Sequence, residues 1–355
     1  MYIYWVLFFA SALMALIETP SFKKNAYYSV GWKVATVFLV LVIGYRHEVG
    51  GDWVSYVNHL EMARGKSFSL LLLENGEAAY NALRWLGIQS GGIYIVNFIC
   101  ALVFTWGLIV FCRLQPRPWL ALNISIGFLV IVVAMGYARQ SAALGMFLLG
   151  MAYLQRGRWA YYVAMLLLGS TFHISVLLLT PLALVVIARK KMIFTIILMF
   201  VGVLLSIVFL KDAANEYWVD YMTAGYQSSG ANVRVAMNIL PSLIFLWLRK
   251  HFEISLIQYN IWTWLAFGAI SLSALLILYP NSAGVDRINL YLFPLQLFVY
   301  SHLPNVLNRL IGVTKLWATL VIGYGFSVQF AWLFYGDNAS WWLPYQFYPW
   351  VLLWK

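Results

Sequence analysis

Apolar runs almost free of charge recur along this chain, and the charged residues gather in the short stretches between them. A helix needs about 20 predominantly apolar residues to cross a bilayer. With 63% hydrophobic and only 10% charged residues, the runs are too many for the core of one or two soluble domains. The expected fold is therefore an all-α polytopic membrane protein, a single integral domain over 1–355. A transmembrane barrel would show ~10-residue alternating segments, and runs such as 192–210 do not alternate. The net charge of +11 raises the question of nucleic acid. Basic residues come in twos and threes between runs, with no basic stripe or large soluble face, which argues against that partner.

Spans are expected at about 3–18, 30–45, 91–112, 119–136, 138–155, 159–172, 174–188, 192–210, 232–248, 255–279, 287–303 and 316–335, about 12 membrane segments. The first run is apolar from its start and its first basic residues, Lys23 and Lys24, follow it, unlike a signal peptide with a positive leading region. One set of alternate connections holds 14 basic residues against two acids, Glu18 and Glu253. The other set holds 9 basic and 10 acidic residues. Lys and Arg collect on the cytoplasmic side, so the second set is expected to face out, with outer loops at about 46–90, 211–231, 280–287 and 336–355. Cys100 and Cys112 fall on one predicted span, about 18 Å apart along a helix, and read as small buried apolar residues rather than a disulfide.

Two segments do not fit simple spans. Segment 159–188 has basic residues at both ends, Arg158 and Arg189, and its 30 residues suit a hairpin of two short legs with Ser170-Thr171-Phe172-His173 at the outer tip. Segment 119–155 repeats the plan with Gly136-Tyr137-Ala138-Arg139-Gln140 at its tip. Non-helical backbone at membrane depth is tolerated where protein or a wet cavity surrounds it, so two such tips predict a cavity opening outward. One long tilted helix through 159–188 is the rival, and it would strand a basic end outside.

Five charged side chains then stand at the ends of apolar runs on the expected outer face: Arg46, Asp52, Arg139, His173 and Arg287. Arginine is always charged and grips phosphate with two parallel bonds, and an Arg facing a bundle interior is costly and commonly functional. Each has a plainer alternative. Arg46 and Arg287 could snorkel to headgroups, Arg234 suits a simple interfacial anchor, and His173 could be a hydrogen-bonded turn residue. Gly50-Gly51 permits a sharp turn and close approach of a ligand, and Asp52 could orient Arg46 or move a proton. Trp53, Tyr56, Trp218 and Tyr221 could stack on sugar rings, as could Trp341, Trp342, Tyr345 and Tyr348, but Trp and Tyr also line membrane interfaces without a ligand. The acids Asp212, Glu216 and Asp220 share one helical face, which suits solvent better than a metal. No metal, nucleotide or other cofactor motif occurs.

The run Arg46-His47-Glu48-Val49-Gly50-Gly51-Asp52, with Tyr56 after it, resembles the R…VGTD…Y signature of the EpsG/Wzy-like bacterial polysaccharide polymerases, with Gly51 where Thr is frequent. The pattern continues with Arg139-Gln140, with Phe172-His173-Ile174-Ser175 and Pro181, and with Arg287. Arg139 to Gly150 also reads R-x10-G, similar to a motif of some O-antigen polymerases. The resemblance implies a GT-C-like membrane glycosyltransferase architecture in the bacterial cytoplasmic (inner) membrane, with its active site facing the periplasm. It implies transfer of a growing glycan from undecaprenyl diphosphate to the next lipid-linked oligosaccharide repeat unit, without nucleotide. Membrane lipid and a chain-length-regulating co-polymerase are its implied partners. Arg139, Arg287 and Arg46 would hold the diphosphate, His173 or Asp52 would take the acceptor proton, and Trp53, Tyr56, Trp218 and Tyr221 would touch glycan. A lipid-linked glycan flippase or an O-antigen ligase would use similar residues.

Overall fold

The computed structural model describes residues 1–18, 30–74, 77–187, 230–278 and 282–353. The predicted span 192–210, the acids Asp212, Glu216 and Asp220, and the aromatics Trp218 and Tyr221 lie outside the described residues. Four described helices are long and apolar enough to cross a membrane: Gly92–Arg113, Ala231–His251, Leu256–Leu276 and Thr314–Tyr335. Shorter apolar helices cover Tyr2–Ile17, Val30–Gly44, Pro118–Ala134, Trp159–Ser170 and Ile174–Ile187. This is the helical, multi-pass architecture that the apolar runs predict.

In chain order, α1 (Tyr2–Ile17) and α2 (Val30–Gly44) are followed by three helices of the connection between α2 and the next long helix, α3 (Trp53–Met62), α4 (Phe68–Leu73) and α5 (Ala78–Gln89). The long α6 (Gly92–Arg113) is the centre of the bundle, touching α2 and α8 (Ala138–Leu154). Small residues let helix backbones approach closely in a membrane, where there is little hydrophobic drive to bring them together. Here Gly107 and Gly145 meet face to face: a Cβ on Gly107 would lie 2.0 Å from the Gly145 carbonyl oxygen. Cys100 and Cys112 are both buried in α6 and unbridged.

Both predicted hairpins form. In the first, α7 (Pro118–Ser125) runs on into a π-helix over Ile126–Ala134, turns at 135–137 and returns as α8. A π-helical stretch frequently marks a functional region, and this one leads straight into the tip that carries Arg139. In the second, α9 (Trp159–Ser170) turns at Thr171–His173, and a 3-10 helix (Ile174–Leu179) and α10 (Leu182–Ile187) pack back against it. The Tyr162 hydroxyl donates to the Leu179 carbonyl at 2.8 Å across the two legs. One long tilted helix is thereby excluded. Gly150 of the R-x10-G pattern abuts Tyr162 of α9, so its smallness admits a neighbouring helix.

The remaining helices are α11 (Ala231–Leu248), α12 (Leu256–Leu278), α13 (Ser282–Asn289), α14 (Pro294–Ile311), α15 (Thr314–Tyr335) and α16 (Tyr348–Leu353). The span expected at 287–303 is thus broken into a short helix ending in Asn289, a 3-10 turn at Leu290–Leu292 and α14. The segment 336–353, part of the loop expected at 336–355, packs against the bundle through Trp342 and Tyr345. Trp342 is buried, its Nε1 donates to the Ile131 carbonyl of the π-helix at 2.7 Å, and its own carbonyl accepts from the Tyr4 hydroxyl at 2.7 Å. The Tyr345 hydroxyl donates to Val42 O at 2.8 Å. A two-residue antiparallel pair, β1 (Arg46–His47) with β2 (Gln346–Phe347), ties this segment to the loop after α2 and is the one departure from an all-helical fold among the described residues.

Candidate active site

The loop leaving α2 is fixed by arginine and glycine together. Arg46 is only 1% exposed, and its guanidinium donates to Ile43 O (2.7 Å), Val49 O (3.2 Å) and Asn97 Oδ1 (3.1 Å). Carbonyls at a helix end have no partner inside the helix, and Arg46 supplies one. Its place is inside the turn, holding backbone, rather than on a surface facing a ligand. Gly50 has φ +108°, a conformation that suits glycine. A Cβ there would lie 2.2 Å from Met135 O, so the close approach that this glycine permits is to the tip of the first hairpin, not to a ligand. Its N–H donates to Trp341 O at 2.8 Å. The loop after α2, the first hairpin tip and the late aromatic segment therefore meet at one point.

From that point α3 starts at Asp52, and Tyr56 one turn later donates its hydroxyl to Asp52 Oδ2 at 3.3 Å. On the other side, α5 docks its N-terminal backbone on the second hairpin tip: the N–H groups of Ala79 and Tyr80 donate to Thr171 O at 3.0 and 3.3 Å. That junction places Glu77, immediately before α5, beside His173. Glu77 is 3% exposed. Its Oε2 accepts from Arg139 Nη1 at 2.8 Å, and its Oε1 lies 2.8 Å from His173 Nδ1. A carboxylate can only accept, so Nδ1 carries the proton and Nε2 is the basic nitrogen. The Arg139 guanidinium also lies 5.5 Å from the Tyr80 ring centre and 5.9 Å from that of Tyr56, at cation–π distance.

Arg287 acts on this group from α13. Its charge bears on Asp52 and on His173, and its carbonyl accepts from Gln140 Nε2 at 3.1 Å. The structure thus brings Asp52, Tyr56, Arg139, His173 and Arg287 into one neighbourhood, with Arg46 behind it, its hydrogen bonds spent on the turn and its charge bearing on Tyr56 and Tyr80. Arg234 does not act as a simple interfacial anchor: it grips Asp286 with two bonds of 2.8 Å, fixing α13 against α11. Trp53 packs with His47 and Tyr94, ring centres 5.8 and 5.9 Å away, in a cluster completed by the stacked Tyr94–Tyr348 pair.

Charge balance follows from burial and pairing. Burial raises the Glu77 carboxyl, but the bonds from His173 and Arg139 outweigh it and hold the group below the usual carboxylate range. Burial pushes Asp52 up, against the opposing charges of Arg287 and Arg139. Beside Arg139 opens a cavity of about 430 Å³. It is walled by His59 and Met62 of α3, Lys66 and Glu74 around α4, and Glu77, Tyr80, Asn81 and Arg84 at α5. Its walls are cross-tied, with Arg84 donating to Glu74 Oε2 (3.1 Å), Asn81 Oδ1 (3.0 Å) and His59 O (2.7 Å). No three His, Cys, Asp or Glu side chains group as metal ligands among the described residues.

A buried Glu gripping an arginine and a histidine from two hairpin tips, beside a polar cavity, is a site built for charge and proton handling. The sequence model of the EpsG family matches residues 30–347, which includes every one of these groups. The chain belongs to the EpsG family. No curated protein and no solved structure matches it. Membership in the EpsG family supports a polysaccharide-polymerase type of role in a multi-pass membrane protein. Within this EpsG-family chain, sequence reasoning missed Glu77, Tyr80 and Arg84. Glu77 opens a helix in a polar loop, where an acid ordinarily complements the helix dipole, so nothing in its local pattern marks it.

Proposed function

We propose that this protein transfers a growing glycan from undecaprenyl diphosphate to the next lipid-linked repeat unit, at the outer face of a bacterial cytoplasmic membrane. The observation that carries the reading is Glu77, one oxygen on Arg139 and the other on His173. A hydroxyl oxygen of the acceptor sugar attacks the anomeric carbon of the donor glycan, and the bond from that carbon to the diphosphate oxygen breaks. The hydroxyl proton passes to His173 Nε2, with Glu77 stabilising the imidazolium that forms. The bonding electrons leave with the diphosphate, whose developing charge Arg139 and Arg287 stabilise, the kind of preorganised charge that contributes most to such steps. A single displacement of this kind inverts the anomeric configuration. Asp52, held by Tyr56, supports the positive charge that develops at the sugar. Inner-membrane location, the GT-C-like architecture and a chain-length-regulating partner belong to the same reading.

Purified protein given a lipid-diphosphate repeat unit and no nucleotide is expected to build a ladder of glycans. Absence of a ladder with substrate that a related polymerase accepts would overturn the reading. Transfer of glycan to a different lipid would make the protein a ligase, and movement of the intact lipid between leaflets would make it a flippase.

A further inference from the structure

Resting on the transferase reading, we infer that the cavity walled by α3, α4 and α5 binds the uncharged sugar part of the acceptor, and that its Glu74 ion pairs, unlike Arg139, exclude the diphosphate. Three charged pairs carry the inference. Lys66 and Arg84 both donate to Glu74, and Arg139 donates to Glu77. The cavity therefore presents three cations against two carboxylates. A diphosphate brings at least two negative charges, would leave an excess of negative charge, and would face Glu74 and Glu77 directly. His59 adds no compensating cation, because burial, with the charges of Arg139 and Arg84, lowers its pKa. A saccharide leaves the ion pairs whole and bonds to their outer edges. At about 430 Å³ the space falls within the roughly 300–1,000 Å³ of small-ligand sites. Lys66, Glu74, Asn81 and Arg84 line it with hydrogen-bonding groups that suit sugar hydroxyls. Glu77 joins the two halves of the site, with one face in this cavity and one oxygen on His173, so an acceptor hydroxyl at its inner end approaches the base.

The test uses the rim of the cavity. Met62 is 67% exposed there, and the native cysteines are buried. A Met62→Cys variant therefore gives one reactive thiol for maleimide labelling. The probes are the lipid-free repeat-unit oligosaccharide, released from the cell's own polymer, and inorganic diphosphate. At ten times its Kd, measured by calorimetry, the oligosaccharide is expected to slow labelling about tenfold, and diphosphate is expected to leave the rate unchanged. Adding Glu74→Gln removes the counter-charge of Lys66 and Arg84, and diphosphate should then protect at low salt. Protection by diphosphate without that change, no protection at saturating oligosaccharide, or no binding of the oligosaccharide at all would each overturn the inference. A protein that ladders normally but shows no protection loses this subsite and keeps the transferase reading. One that is protected but never ladders keeps the saccharide site and loses the transferase.

Discussion

Replacing Glu77 with Gln removes one charge and almost no volume. Glu77 is 3% exposed and Arg139 keeps 21% of its side chain exposed. Breaking a buried ion pair by removing one partner costs roughly 3–5 kcal/mol, and the partial exposure of Arg139 puts the expected loss at the low end, about 3 kcal/mol. The amide has one acceptor where the carboxylate had two, so it cannot hold both Arg139 and the Nδ1–H of His173. His173 then loses the tautomer and orientation that a base requires, and a misplaced general base lowers turnover by roughly 100- to 10,000-fold. The assay is the initial rate of ladder formation by purified protein, normalised to the monodisperse fraction, with the thermal midpoint in detergent read in parallel. Because Glu77 acts through His173, Glu77→Gln combined with His173→Ala should be no slower than His173→Ala alone; groups that work as a unit are non-additive. A Glu77→Gln protein within about threefold of wild type, or a double variant whose losses multiply, would refute the coupling.

Arg46→Met should lower the yield of folded protein and the thermal midpoint, each stranded carbonyl costing about 1–3 kcal/mol, while the apparent KM for the lipid-linked substrate in the folded fraction stays at its wild-type value. Gly50→Ala should fail to accumulate as folded protein by size-exclusion chromatography, because its Cβ would meet Met135 O at 2.2 Å. The two acids give opposite pH behaviour in denaturation. Glu77 has its folded pKa below the ordinary value, so its stabilisation is complete above about pH 4.3 and is lost as pH falls through the folded value. Asp52 has its folded pKa raised, so its ionisation opposes folding as pH rises through that value. Asp52→Asn should remove that second slope, and an unchanged profile in the variant would refute the assignment.

Length of apolar run made the long helices legible: α6, α8, α11, α12 and α15 begin and end within two residues of the expected spans. The two hairpins were legible from paired basic ends, which no single span can place on one side. The run 287–303 misled because an Arg after an Asp looks like a span boundary. In the fold, Asp286 is locked to Arg234 and the chain stays in a short helix before turning. Aromatic content did not reveal the packing of Trp342 and Tyr345, since residues that suit an interface also suit an interior where their N–H and O–H groups find carbonyls. Arg139, His173, Asp52 and Arg287 stood out in sequence as charges where charge is expensive. Glu77 did not, because its significance is a meeting of two hairpin tips far along the chain, and that distance leaves no trace in the residues beside it.

The pairing of Arg46–His47 with Gln346–Phe347 also constrains how the protein is made. Residues 48–345 lie between its two strands, and Arg46 precedes its partner Phe347 by 301 positions. Bacterial and other ribosomes add roughly 5–20 residues per second, so the first strand waits about 15–60 s for its partner. During that interval Val42, Arg46 and Gly50 lack the Tyr345, Phe347 and Trp341 partners that later hold the turn. The turn after α2 therefore reaches its full set of contacts only after the segment around Gln346 and Phe347 has been made.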